Sequence, residues 1–595
     1  MGKIYWIRRI FFLLLFSGII NSVIGGDFST KVFFVAKNGQ DENNGCIDTP
    51  FKTLKRAIEE VCHLNEKEVS IDSIMIYLRG GVYELDSPLV LNSEKLNKTK
   101  LGISAYLNEK VTISGGKKVA NWKVYDNNNS IYRTSLPWMP AFRQLYYGEK
   151  EKAIRARGLL GSDCFLKKDE IIFHGVDFST WRNPDKIELV SNKEWSQTRA
   201  LISSIKKKQD SCYLFMQQPN YSFVRTLHSM VYFDRPDWIE NAYELVDEPS
   251  EWYWDEAEGG LYLRTDGERA ILKESFVAPV LEQLVILRGT LNNSISHVTF
   301  HNIRFSHTTW RQPSKIGFAA IQANQLEYPE SFKKDFPITM SAAVEVEYGV
   351  DIVFKDCDFY QLGGVGLNIS KSKDCKVNGC SFYNIAGSGV QLLGDVSDPF
   401  PKKQDICERI EIKNNLIENV SNEYYGGVGI FVGYARNIHI IHNELCNLPY
   451  SAISIGWGWG TPSICESNVI EYNYIHDYLT QLRDGAGIYT LGNQPGSSCK
   501  NNYIRDMVKQ EWGGGMYFDE GSSGFKVENN VVENVLNWVF CHKAQNILIN
   551  NNYSKVRDVL FIKSKDCIMN NTHNIYTNEW TDEAKVIIDK AGIKR

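Results

Sequence analysis

The segments NLIEN (415–419), NELCN (443–447), NYIHD (473–477), NYIRD (502–506) and NVVEN (530–534) share one pattern: Asn, any residue, an apolar residue, any residue, then Asn or Asp. Their first residues lie 28, 30, 29 and 28 positions apart. A period of that length marks a solenoid, because a repeat too short to enclose a core of its own must stack on its neighbours. Two earlier repeats carry Cys in the Asn place, CDFYQ from Cys357 and CSFYN from Cys380, and a later one begins at Asn552. The Asn positions are expected to form a ladder at one turn, each amide bonded to the next coil.

Each motif leads, after a turn, into a second short strand: GLNIS, GVQLLG, GIFVG, AISIG, GIYTLG, GMYFDEG and WVFCHK. Strand alternation sends Ile430, Val432, Ile453, Ile455, Ile488, Thr490, Met516 and Phe518 inward. It places Asn368, Gln391, Phe431, Ser454, Tyr489, Tyr517 and Phe540 in one outward row. The expected fold is all-β, a right-handed parallel β-helix with an N-terminal capping helix and an inserted β-sandwich-like domain.

Working outward from the repeats, residues 288–595 form the main β-helix and residues 26–120 an N-terminal cap with the first coils. In the cap, Phe51, Leu54, Ile58 and Val61 follow Thr49-Pro50 at helical spacing, which suits one helix covering the open end of the stack. From 121 to 287 the pattern changes to alternating, aromatic-rich strands with hairpin turns, read as the insertion. At the N-terminus Lys3, Arg8 and Arg9 precede an apolar run from Ile10 to Ile24 and the small pair Gly25-Gly26. This is the layout of a cleaved signal peptide over residues 1–25, hence of a secreted or periplasmic protein with no membrane association after its removal.

The 66 basic and 71 acidic residues give a net charge of −5 without long runs of one sign, which argues against nucleic acid as a partner. The 13 cysteines are odd in number and follow neither a metal-site nor a small-scaffold spacing, so at least one free thiol is expected. Cys375 and Cys380 read as core filling.

Three neighbouring segments concentrate Trp, Tyr, Gly and carboxylates beyond what packing requires: GWGWG (456–460), DGAGIYTLGNQPG (484–496) and EWGGGMYFDEGSSG (511–524). Glycosidic hydrolysis uses two carboxyl groups, one protonated and one ionised, about 5 Å apart for retention or about 6.5–9.5 Å for inversion. Asp484 and Asp519 are the first choice for that pair, with Glu511 and Glu520 as alternates. Measured along straight strands they would stand about 23 Å apart, so the chain must bend at Gly485 and Gly487 for them to meet. Trp457 and Trp459, each flanked by Gly, are candidates for stacking on sugar rings. Tyr489, Tyr517 and His542 are candidates for holding hydroxyls or tuning the carboxyl groups. The absence of any ligand cluster leads to an expectation of no metal and no cofactor, with an oligosaccharide or polysaccharide as the partner.

The association of AISIGWGWG with LRDGAGIYTLGNQPGS and GGMYFDEGSSGFKVENN, behind VAKNGQDENNGCIDTPFKTLKRAI and FRQLYYGEKEKAIRAR, resembles glycoside hydrolase family 141. More distantly it is similar to family 120, whose β-xylosidases also carry an inserted β-sandwich. The resemblance implies α-L-fucosidase or xylanase activity on plant cell-wall polysaccharide such as pectin, with a pair of catalytic aspartates carried onto Asp484 and Asp519. Two rivals stand beside it. A β-helix lyase would need a Ca²⁺ cluster or a basic residue at the groove, and the outward row offers only Lys543 at its far end. A non-catalytic carbohydrate-binding solenoid would not need the paired acids of GGMYFDEG.

Overall fold

A computed structural model describes residues 30–594 apart from 68–70, 97–98, 161–163, 227–232, 268–274, 334, 336–338, 394–395, 397, 461 and 578. The expected signal segment lies outside the described residues.

The chain winds into a right-handed parallel β-helix with three long parallel sheets of 13, 12 and 11 strands. One coil illustrates the pattern: Val469–Glu471 lies in the first sheet, Tyr474–His476 in the second and Gly485–Thr490 in the third. Inward side chains of successive coils merge into one apolar core running from Phe33 to Ile549. Cys375 and Cys380 are part of it, and all thirteen cysteines are free thiols.

The Asn of each repeat is the fixed point of its coil. The amide Nδ2 of Asn415, Asn443, Asn473, Asn502 and Asn530 donates to Oδ1 of the next Asn in the series, ending at Asn552, at 2.9–3.0 Å. The same Oδ1 accepts the backbone N–H of the preceding coil, and Nδ2 donates its second proton to a carbonyl such as Ile440 O from Asn473. All six side chains are fully buried. A buried primary amide is acceptable only with its donors and acceptors filled, and here each interior member makes two donations and two acceptances. The fifth motif position has a different task. Asn419, Asn447, Asp477, Asp506 and Asn534 all have φ between 52° and 55°, the left-handed region that Asn and Asp tolerate better than other side-chain-bearing residues.

At the N-terminal end the helix Leu54–Glu66, capped by Thr53 Oγ1 accepting from Arg56 N, buries Leu54, Ala57, Ile58 and Val61 against the first strands. Between Gly116 and Pro279 the chain leaves the coil to build an eight-stranded and a seven-stranded sheet, antiparallel except where Glu151–Arg155 pairs with Glu251–Asp255. It leaves and returns at one place, since Gly116–Val119 pairs with Phe276–Pro279. The coil then resumes as though uninterrupted: Val285–Arg288 pairs in parallel with Leu89–Asn92 on one side and Ala342–Glu347 on the other. That strand therefore belongs to the coil, a few residues earlier than the boundary expected at 287. Among the described residues no helix is long and apolar enough to cross a membrane.

Replacing Asn473 by Ala removes four hydrogen bonds and leaves buried partners on both sides unpaired, so it should destabilise the protein by about 3 kcal/mol or more in denaturant unfolding. Asn447→Gly, at an exposed left-handed turn, should cost less than about 1 kcal/mol. Equal losses for the two would refute the assigned roles.

Candidate active site

The site grows from one row of the third sheet. Asn368, Gln391, Phe431, Ser454, Tyr489, Tyr517 and Phe540 are register partners in successive strands. The inward alternates complete the pattern, with Phe518 turned against Phe525 in the core. Tyr489 meets Tyr517 edge to face at 5.2 Å, and Tyr517 stacks on Phe540 at 4.2 Å. Trp512 closes on Phe540 edge-on at 5.3 Å.

Asp519 sits two residues beyond Tyr517, on the same outward side. Tyr489 Oη donates to its Oδ2 at 2.6 Å, and His542 Nδ1 lies 2.7 Å from Oδ1. The carboxylate is thus held at both oxygens. Burial and the Asp519 charge push the Tyr489 phenol far up, so it remains a donor.

Asp484 lies at the other end of its strand, at a left-handed position with φ 57°. Its carboxyl pKa is raised to about 7, first by burial, then by the negative charge of Asp519, then by Glu194. Tyr517 and Trp512 oppose the rise, while Oδ1 is buried without a protein partner. The two aspartates therefore share one electrostatic environment. The strands Gly485–Thr490 and Gly513–Phe518 keep one register throughout. At Gly487 and Gly515 a Cβ would stand 2.7 Å from Ile504 and 2.8 Å from Val532 in the core, so only glycine fits there. Tyr450, which donates to Asp484 O at 2.8 Å and accepts from Gln322, is raised in pKa by burial and by Asp484 and, more weakly, Asp519.

The insertion supplies a wall that periodicity could not reveal. The hairpin joining Glu188–Lys193 to Ser196–Lys208 carries Glu194 at its tip. Its carboxylate takes Arg483 in a two-pronged pair at 2.7 and 2.9 Å, and its carbonyl accepts Arg483 N at 3.0 Å. Arg483 also reaches Glu511. Glu511 and Glu520 are thus half-exposed ion-pair partners, the latter of Lys543 at 2.6 Å, rather than members of the buried cluster.

The GWGWG loop corrects one expectation. Gly456, Gly458 and Gly460 all have φ between 91° and 96°, and a Cβ at Gly456 would fall 2.0 Å from Leu491 O. This turn buries Trp457, 6% exposed, edge-on to Phe431 and against Trp459 at 4.8 Å. Trp457 therefore offers no free face to a sugar and instead props Trp459, which is 42% exposed. Trp459 stands beside Gly521, next to Asp519-Glu520, where a Cβ would meet Gly460 at 2.2 Å. Glu194, Tyr450, Arg483 and Trp512 are site residues that sequence reasoning missed. Only Trp512 had a visible signal, inside EWGGG. Among the described residues no group of three or more His, Cys, Asp or Glu side chains is placed to hold a metal ion.

The chain matches the family described as right handed beta helix region over residues 283–464. No curated protein matches it. Among solved structures it is similar to one named glycoside hydrolase, with a TM-score of 0.79 and 26% identity, covering 95% of this chain and 99% of that one. Two remoter likenesses are the complex of XylC with xylose (TM-score 0.43, 12% identity, 91% and 86% covered) and the GH136 lacto-N-biosidase from Eubacterium ramulus (0.41, 11%, 92% and 68%).

The Asp484 carboxyl has a stability signature independent of any reaction. Its folded pKa of about 7 lies above its ordinary value of 3.8, so the folded protein keeps a proton that the unfolded chain releases in that window. Stability from this group is present at low pH and lost as pH rises through 7. Asp484→Asn should therefore be more stable than wild type at pH 8, by on the order of 2–4 kcal/mol in denaturant unfolding, and match it near pH 4. A variant destabilised at pH 8 would contradict this environment for Asp484.

Proposed function

We propose that the protein is a glycoside hydrolase in which Asp484 is the general acid and Asp519 the ionised partner. The observation that carries this reading is the different surroundings of two carboxyl groups, one of which acts on the other electrostatically. Asp484 is held protonated near neutral pH by burial and the Asp519 charge, and Asp519 is supplied with a phenol and an imidazole. Such separation is how one site provides an acid and a base or nucleophile at the same pH. The similarity over almost the whole chain to a structure named glycoside hydrolase supports the same class.

In the proposed reaction the glycosidic oxygen leaves as Asp484 delivers its proton, so the departing alkoxide never forms. Asp519 acts on the opposite side of the sugar, either attacking the anomeric carbon or drawing a proton from water. Tyr489 and His542 orient the Asp519 carboxylate, Tyr517 lies between the two acids, and Trp459 gives the sugar a flat face. The family 141 resemblance makes an α-L-fucoside of pectin-type glycan the proposed substrate, and a xyloside the second.

The test is release of sugar from aryl α-L-fucosides, aryl xylosides and plant polysaccharides. Asp484→Asn and Asp519→Asn should each lower kcat by about 10³-fold or more with the fold retained. Near-normal turnover in either folded variant would remove that residue from the mechanism, and unsaturated products would reveal a lyase instead. Because Glu194 helps hold the proton on Asp484, Glu194→Gln should move the alkaline limb of the kcat/KM profile to lower pH. An unmoved limb would mean that the hairpin tip does not act on the acid.

A further inference from the structure

Where the insertion meets the coil, five charged side chains are buried together and do not balance. Arg143, Arg155 and Arg199 are 2%, 9% and 3% exposed, against Glu188 at 0% and Glu240 at 8%. Arg155 pairs with Glu188 at 2.8 Å and with Glu240 at 3.0 Å, Arg199 with the same two at 3.2 and 3.0 Å, and Arg143 with Glu188. Burial works against ionisation of both carboxyl groups. The surrounding arginines outweigh it, holding Glu188 far below the usual range and Glu240 at about 2. Both acids are therefore charged, and the cluster carries one net positive charge.

A buried charge without a counter-charge is among the most costly arrangements a protein can hold. Two further observations show where the counter-charge belongs. The Nε–H groups of Arg155 and Arg199 are buried with no partner. Arg143, Arg155, Arg199 and Glu240 also line a cavity of about 240 Å³, whose remaining wall includes Lys152, Trp238 and Tyr425. That space exceeds the roughly 30 Å³ occupied by one water several-fold. The other charges around it cancel, Lys152 against Glu423 at 2.6 Å and the exposed Arg157 against the exposed Glu151.

We propose that this cavity is an anion site that takes one carboxylate or oxyanion, carried on an acidic sugar or free in solution, as the missing partner of the buried arginine cluster. The planar guanidinium groups suit a carboxylate, and the half-buried Tyr425 gives the sugar that bears it an apolar surface. The site is separate from the aspartate pair and is tested without turnover.

Full-length protein is followed by thermal unfolding at constant ionic strength with sodium acetate, sodium galacturonate or galactose added. The midpoint should rise with the logarithm of acetate or galacturonate concentration and stay fixed with galactose. A response to both anions identifies a free-ion site, and a response to galacturonate alone identifies the sugar-borne carboxylate. Arg155→Gln, which leaves the buried cluster neutral, should abolish the response. If that variant does not fold, Lys152→Gln should weaken the response at least fivefold. No response from wild type to either anion, or an unchanged response in the folded variant, overturns the proposal.

Discussion

The register of the coils that carry the candidate site depends on the amide ladder from Asn415 to Asn552. A parallel coil has no hairpin to fix its register, and a slip of one residue would exchange the core row for the outward row. The ladder prevents that slip. Each Asn can satisfy its four hydrogen-bonding positions only if the coils above and below are in step. The apolar core supplies the driving force for stacking, but it is tolerant of small displacements. The amides are not, and the alignment of Tyr489, Tyr517 and Phe540 across three coils is their downstream result.

That alignment helps to raise the pKa of Asp484. An aspartate alone at a turn would ionise well below neutral pH. Here burial removes water, Asp519 contributes repulsion, and the insertion brings a third carboxylate in Glu194 to act on the same group. Gly487 and Gly515 lack a side chain where the core is closest.

The period, the ladder and the outward row could all be read from the sequence because each is a local pattern repeated many times. Counting from Asn415 to Asn530 gave the coils, and alternation gave the partners of Tyr489. The approach of Asp484 to Asp519 could not be measured in that way, since counting assumes a straight strand. Glu194 was invisible for a different reason: it lies 289 residues from Arg483, and no periodicity links a hairpin tip to a coil. Trp457 misled because flanking glycines signal a tight turn, and such a turn can bury a ring as readily as display it.

The seam at Gly116 and Pro279 has a consequence in time. Strand Leu89–Asn92 has its partner at Val285–Arg288, nearly two hundred residues further along the chain. During synthesis the first coils emerge without the neighbour that completes them, while the sheets of the insertion pair wholly within residues 116–279 and carry apolar clusters of their own. By bringing its two ends together, the insertion then turns a distant pairing into a nearby one and removes most of the loop entropy that would otherwise oppose it. The wall of the site is thus also the clasp that lets the solenoid join across its own interruption.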